Sequence, residues 1–109
     1  MRFTWDPAKS ERNIQERGLD FADAQFLWDA PLLAWIDTRR DYGEVREAGL
    51  GVLHGRVMSV CWVKRGEDHT HIFSFRIANA REKKRYQNGL AAQNARAAEG
   101  DEAAESEPN

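Results

Sequence analysis

The apolar positions change period twice along the chain. They recur at helical spacing from Pro7 to about Ala30, alternate from Leu32 to Ile77, and return to helical spacing after Asn79. Asp6 before Pro7 is a helix start and Gly18 a stop, which predicts a first helix over about 7–17. Asp20 caps a second over about 21–29, with Phe21, Ala24, Leu27 and Trp28 facing a core, and Pro31 forbids its continuation. The preceding "FTW" reads as a short extended segment. Four runs of period two follow: "LLAWIDTRR", "VREAGLGVL", "RVMSVCWVK" and "THIFSFRI". They predict a four-stranded antiparallel meander, with His54-Gly55 as a two-residue hairpin and "RGED" at 65–68 as the next turn. Asn79 then caps a third helix, and Glu82 three residues on completes a capping box. The expected fold class is therefore α+β: two N-terminal helices, a four-stranded antiparallel sheet and a C-terminal helix.

Parity assigns faces to the strands. If the "RGED" turn pairs Lys64 with His69, then Met58, Val60 and Trp62 share the core face with His71, Phe73 and Phe75. The other face collects Ser59, Cys61, Ile72, Ser74 and Arg76, to which the hairpin adds Arg46, Leu50 and Val52. An apolar strip of Leu50, Val52, Cys61 and Ile72 beside arginines is expected to meet another chain. A one-residue slip would reverse these assignments.

Length and composition alter this picture little. The 109 residues provide one modest core, expected over 1–90. Residues 91–109 form an acidic, Ala/Glu-rich tail with no aromatic or β-branched residue, expected to be disordered. The lone Cys61 excludes an intrachain disulfide and reads as a buried, inert thiol. No apolar run approaches the roughly 20 residues of a membrane helix, and the opening lacks a signal peptide's apolar stretch, so a cytoplasmic location is expected. Charge is more informative. The net −2 divides into −3 over residues 1–38, +5 over 39–88 and −4 over 89–109. A basic second half either attracts phosphate or is a solvated face.

Three motifs in order over residues 3–86 carry a resemblance. "FTWDPAKSERNIQERGLDFADAQFLWDAP" has an aromatic-Trp-Asp-Pro start, an asparagine-bearing helix and a Gly-x-x-Phe joint. "DYGEVREAGLGVLHGRVMSVCWV" has Gly-Glu-x-Arg and Gly-Arg strands, and "IFSFRIANAREKKRY" closes with Ser-x-Arg-x-Ala and Glu…Tyr. In these the chain resembles the BrnT family of type II toxins, whose fold is similar to that of RelE-like ribonuclease toxins. The resemblance implies an RNA-cleaving toxin, with RNA as substrate and a BrnA-type antitoxin of the ribbon-helix-helix class as partner. DNA would be reached only through the antitoxin. It carries Arg46, Arg56 and Arg76 onto the family's arginines, and Glu44, Glu82 and Tyr86 onto its other polar positions. Three positions depart from the pattern: His71 and Ile77 stand where basic residues are frequent, and "ERG" replaces the usual "KHG".

Metal-independent cleavage by the 2′-hydroxyl needs a proton acceptor, a cation beside the phosphorane charge and a donor for the leaving 5′-oxygen. Arg46 and Arg76 can grip nonbridging oxygens in a fork. Glu44 beside Arg46 is a poor base, and His71 is the better proton shuttle by chemistry although parity puts it on the core face. The expected catalytic set is Arg46, Arg56, His71 and Arg76, with Glu44, Lys83, Tyr86 and Trp5 binding RNA or supporting it. Each has an ordinary alternative: Arg56 solvates a hairpin, Glu44 and Arg46 form a surface pair, Glu82 serves the capping box, and Trp5 fills the core. No "HExxH" or paired-cysteine pattern calls for a metal, and the glycines of "GLGVLHG" do not open a helix, so no cofactor is expected. A second function class stays open: an inactive module acting within a repressing toxin–antitoxin complex.

Overall fold

Asp6 sets the first helix: its carboxylate accepts from the backbone N–H of Ala8 at 2.9 Å, ahead of α1 (Pro7–Arg17). Asp20 caps the next segment in the same way, accepting from Ala22 N–H at 2.9 Å, but Phe21–Asp29 winds as a 3₁₀ helix and not as the expected α-helix. The physical reason lies in the spacing. Phe21, Ala24 and Leu27 are three apart, and a period of three stacks them in one line, exposed by 2%, 0% and 0%.

Five strands follow from the chain: β1 (Arg2–Trp5), β2 (Leu33–Ile36), β3 (Glu47–Leu53), β4 (Arg56–Lys64) and β5 (His69–Ile77). A last helix, α2, occupies residues 80–92. The structure, a computed structural model, describes residues 1–92, so the expectation for the tail from residue 93 onward falls outside the described residues. None of the described helices is long and apolar enough to cross a membrane.

The sheet order is β1-β5-β4-β3-β2. β2 to β5 form the expected antiparallel meander, with His54 (φ 52°) and Gly55 (φ 74°) making the hairpin turn. The four-stranded sheet is corrected to five, because the "FTW" segment becomes β1 and pairs parallel to β5, from Arg2↔His69 to Trp5↔Ile72. A four-residue strand whose partner lies more than sixty residues away leaves no periodic signal.

One face of the sheet carries the main core. Met58, Val60, Trp62, Ile72 and Phe75 pack against Phe21, Ala24 and Leu27, with Phe3, Trp5, Leu19 and Trp28 around them. Gly49 lies on this face where a Cβ would stand 2.9 Å from the Trp62 ring, so the residue's absence of side chain lets the indole lie flat on β3. The Asn13 amide donates to the carbonyls of Leu19 and Phe75, both at 3.0 Å, which ties α1 to β5.

The opposite face is half covered. Leu50, Ala78 and Tyr86 form a second core with Leu33, Trp35, Val57 and Leu90, under α2. Gly89 permits this contact, since a Cβ there would come within 2.6 Å of Leu33. The expected apolar strip for a partner is thus corrected: Leu50 (0% exposed) is covered by the chain's own helix and Ile72 (1%) belongs to the main core.

Candidate active site

The uncovered half of that face is floored by small side chains. Pairings place Ala48 beside Cys61 and Cys61 beside Ser74 in one row, and Ser59 beside Arg76 in the next. Small residues leave space. A pocket of about 460 Å³ lies over them, bordered by Trp35, Asp37, Arg39, Tyr42, Arg46, Phe73, Arg76 and Arg85.

A β-bulge decides which side chains reach this pocket. Cys61 pairs with Ser74 but Trp62 pairs with Ile72, which leaves Phe73 as the extra residue on β5. The bulge reverses parity on one side only. Phe75 stays in the core and Arg76 on the open face, as expected, whereas His71 and Phe73 are moved from the expected core face to the open one and Ile72 takes their place. The turn also shifts by one, pairing Lys64 with Thr70 and not with His69.

Arg46 is the centre of the cluster. Its guanidinium lies between two rings, 4.2 Å from the Tyr42 centroid and 3.8 Å from that of Phe73. Its carboxylate contact is loose, 3.6 Å to Glu44, which Arg65 also approaches at 3.9 Å. The Arg46 Nε–H is buried without a hydrogen-bond partner. A cation held by two ring faces keeps its in-plane donors for another group.

The neighbouring arginines are committed. Arg76 forks onto Glu82, at 2.7 and 2.9 Å, while Glu82 accepts from Asn79 N–H at 2.9 Å and donates its own N–H to Asn79 Oδ1 at 2.8 Å. The expected capping box and the expected catalytic arginine are therefore one unit that fastens α2 to β5. The fork lowers the Glu82 carboxyl and raises Arg76. Asp37 is buried and accepts from Arg39 at 2.9 and 2.8 Å and from the Tyr42 hydroxyl at 3.1 Å, bonds that hold it well below the usual carboxylate range despite burial. Arg85 stacks on Trp35 at 3.7 Å. Burial pushes the Cys61 thiol up, which keeps it a poor nucleophile.

Beside the pocket, two histidines share one hydroxyl. Thr4 Oγ1 is 2.7 Å from His69 Nε2 and 2.8 Å from His71 Nδ1, and an Arg2 guanidinium nitrogen is 3.1 Å from His69 Nδ1. Arginine only donates, so neutral His69 accepts at Nδ1 and carries its proton on Nε2. That N–H is given to Thr4, whose own proton goes to His71 Nδ1. Neutral His71 consequently carries its proton on Nε2, and its ring meets Phe73 edge to face at 5.3 Å. Burial first, and nearby cationic Arg65 next, lower His71 below its ordinary value.

The other expected site residues stand apart. Arg56 and Lys83 meet in a separate shallow depression with Gly55, Val57, Ile77 and Gln87. Tyr86 is 6% exposed within the second core and Trp5 packs against the first, so both serve the fold. Phe73, Tyr42, Asp37, Arg39, Trp35 and Arg85 line the pocket without having been expected there. The dense polar run "DTRRDYGEVR" was the available signal for three of these neighbours, Asp37, Arg39 and Tyr42. No group of three or more His, Cys, Asp or Glu among the described residues is arranged to hold a metal.

Comparison with known proteins is decisive on ancestry. The profile of a family described as "Ribonuclease toxin, BrnT, of type II toxin-antitoxin system" matches residues 5–82. The chain belongs to the BrnT family. Its fold is similar to the crystal structure of the Brucella abortus ribonuclease toxin BrnT, with a TM-score of 0.54 and 27% identity over 72% of this chain and 97% of that one. No curated protein sequence matches significantly. Membership in a type II toxin–antitoxin family implies a protein antitoxin as partner of this BrnT-family chain.

Proposed function

We propose that this BrnT-family chain is a metal-independent endoribonuclease that arrests growth by cutting RNA in the Arg46 pocket, and that a BrnA-like ribbon-helix-helix antitoxin neutralises it. The observation that carries this reading is the Arg46 guanidinium, fixed between Tyr42 and Phe73 with its Nε–H unmatched. A scissile phosphate in the pocket receives that donor, and its charge grows on the nonbridging oxygens as the substrate 2′-oxygen, losing its proton to water, attacks phosphorus and the bond to the 5′-oxygen breaks, that oxygen taking a proton from water. Arg76 keeps its Nε–H and the second Nη2–H for the same phosphate, while its Nη1 serves Glu82 and the Ile77 carbonyl and its fork holds Glu82. The His71 Nε2–H is a further donor at the pocket's edge. Glu82 and Asp37 are engaged by arginines, so rate enhancement here rests on charge stabilisation more than on a strong base.

The test is cleavage of a labelled RNA in the presence of a chelator, with growth on expression of the single chain measured in parallel. Arg46→Ala should lower the rate roughly 100- to 1,000-fold, the range for deletion of one transition-state donor, and relieve arrest. Full activity of a folded Arg46→Ala protein would end the assignment. The Arg76–Glu82 fork favours one other reading, a passive module whose arginine serves structure. That reading forecasts harmless expression of the native chain.

A further inference from the structure

Helix α2 carries a basic stripe of which the pocket uses only Arg85. Arg81, Lys84, Arg85 and Asn88 recur at spacings of three and four, so they share one helical face, and with Leu33, Ala34 and Trp35 of β2 they line a groove of about 560 Å³. Arg81, Lys84 and Arg85 are exposed and pair with no carboxylate among the described residues. The groove is continuous with the candidate site, because Trp35 and Arg85 border both. Arg85 lies with its face on the indole, which leaves its in-plane N–H edge for an acceptor.

We propose that this groove is a second binding site, taking the sugar-phosphate chain of single-stranded RNA that flanks the cut. The site rests on the ribonuclease reading of the Arg46 pocket and adds to it a preference for length. Two observations favour phosphodiester over an acidic protein segment. The cations stand in one row about 6 Å long, which Asn88 extends to about 10 Å, a span of about two phosphates for the charges themselves. The exposed Arg85 guanidinium, backed by the Trp35 indole, also offers a flat outer face beside the row, on which a base of a single strand stacks as on an aromatic ring. The acidic segment of an antitoxin is the rival occupant.

The experiment measures binding of 2′-O-methyl oligonucleotides, which cannot undergo 2′-attack, to the full chain at several salt concentrations. One is short, about three nucleotides, and one long, about twelve. Arg81→Gln/Lys84→Gln keeps helix-forming side chains of similar reach and removes two charges. It should weaken the long oligonucleotide roughly tenfold and reduce its salt slope by about 1.4, while the short one changes less than about twofold. Asn88→Glu, which places a repelling charge in the same groove, should also weaken the long one selectively. Equal losses for both lengths, or no loss for either, would overturn the groove; so would loss of antitoxin binding with RNA binding unchanged. A native chain that cuts RNA but binds both lengths with the same slope removes only this site. One that shows the length dependence and cuts nothing removes only the ribonuclease reading.

Discussion

The two faces of the sheet use the same strands for opposite ends. On one, Met58, Val60, Trp62, Ile72 and Phe75 are each exposed by 3% or less beneath the 3₁₀ segment. On the other, Ala48, Ser59, Cys61 and Ser74 are small, and the large groups stand at the border. The first face excludes water by filling space. The second keeps space and surrounds it with guanidinium groups, each held either by a carboxylate fork, as Arg39 and Arg76 are, or by aromatic rings, as Arg46 and Arg85 are. What differs is which interaction is left unfinished: among the described residues, the one buried side-chain donor without a partner, Arg46 Nε–H, belongs to the open face.

The contrast predicts that the largest effect comes from the filled face. Phe75→Ala should cost about 3–5 kcal/mol, by lost burial and a residual cavity, so stability and any cleavage activity fall together. Denaturant unfolding checks this. A Phe75→Ala chain with native stability would mean that the 3₁₀ segment does not seal a core.

Substitution of Arg76 sharpens the boundary between the faces. Its side chain is 33% exposed, so loss of the Glu82 fork should cost on the order of 1 kcal/mol after solvent screening, which for a domain of this size lowers the melting temperature by roughly 4–8 °C. Cleavage should fall as well, because α2 and its Arg85 plate are fastened through the same fork. Arg76→Lys should recover part of the stability, since an ammonium pairs with Glu82 without the bidentate geometry. Unchanged melting of Arg76→Ala would make the fork a surface ornament and return Arg76 wholly to phosphate binding. Acid should act at the same place: the Glu82 carboxyl is lowered in the folded state, so its contribution is present above the ordinary glutamate range and is lost as pH falls through the lowered value.

The covered face and the meander were legible because they depend on local rules. Alternation along β3 and β4, the His54-Gly55 turn and the Asn79–Glu82 box are read within a few residues, and these appear as expected. What was not legible depends on pairing across the sheet. One unpaired residue at Phe73 moves His71 and Phe73 to the pocket face, and nothing in "HIFSFR" marks the bulge, since Phe73 and Ile72 are equally suited to a core. The same holds for β1, whose partner is fixed only after the meander has formed. Arg46 was placed on the correct face by counting from the hairpin with no bulge between, whereas Arg76 was counted from the "RGED" turn across the bulge and came out right because the one-residue shift of that turn and the one extra residue at Phe73 cancel.

The smallest expected effect concerns the hydroxyl shared by the two histidines. Thr4 donates to His71 Nδ1 and thereby favours the neutral ring, in addition to the burial that lowers it most. Because the folded value lies below the ordinary 6.5, the unfolded chain binds more protons between the two values, so stability falls as pH drops from about 6.5 through the folded value. Thr4→Val keeps the shape of the side chain and removes the donor. His71 should then titrate closer to its ordinary value, and the loss of melting temperature on acidification should shrink. Following the imidazole proton resonances of both histidines against pH separates this from packing damage, since damage lowers stability at every pH whereas loss of the hydrogen bond changes its slope only in the histidine range. A His71 that titrates at or above 6.5 in the native protein would remove the fixed tautomer, and with it the Nε2–H assigned to the pocket's edge.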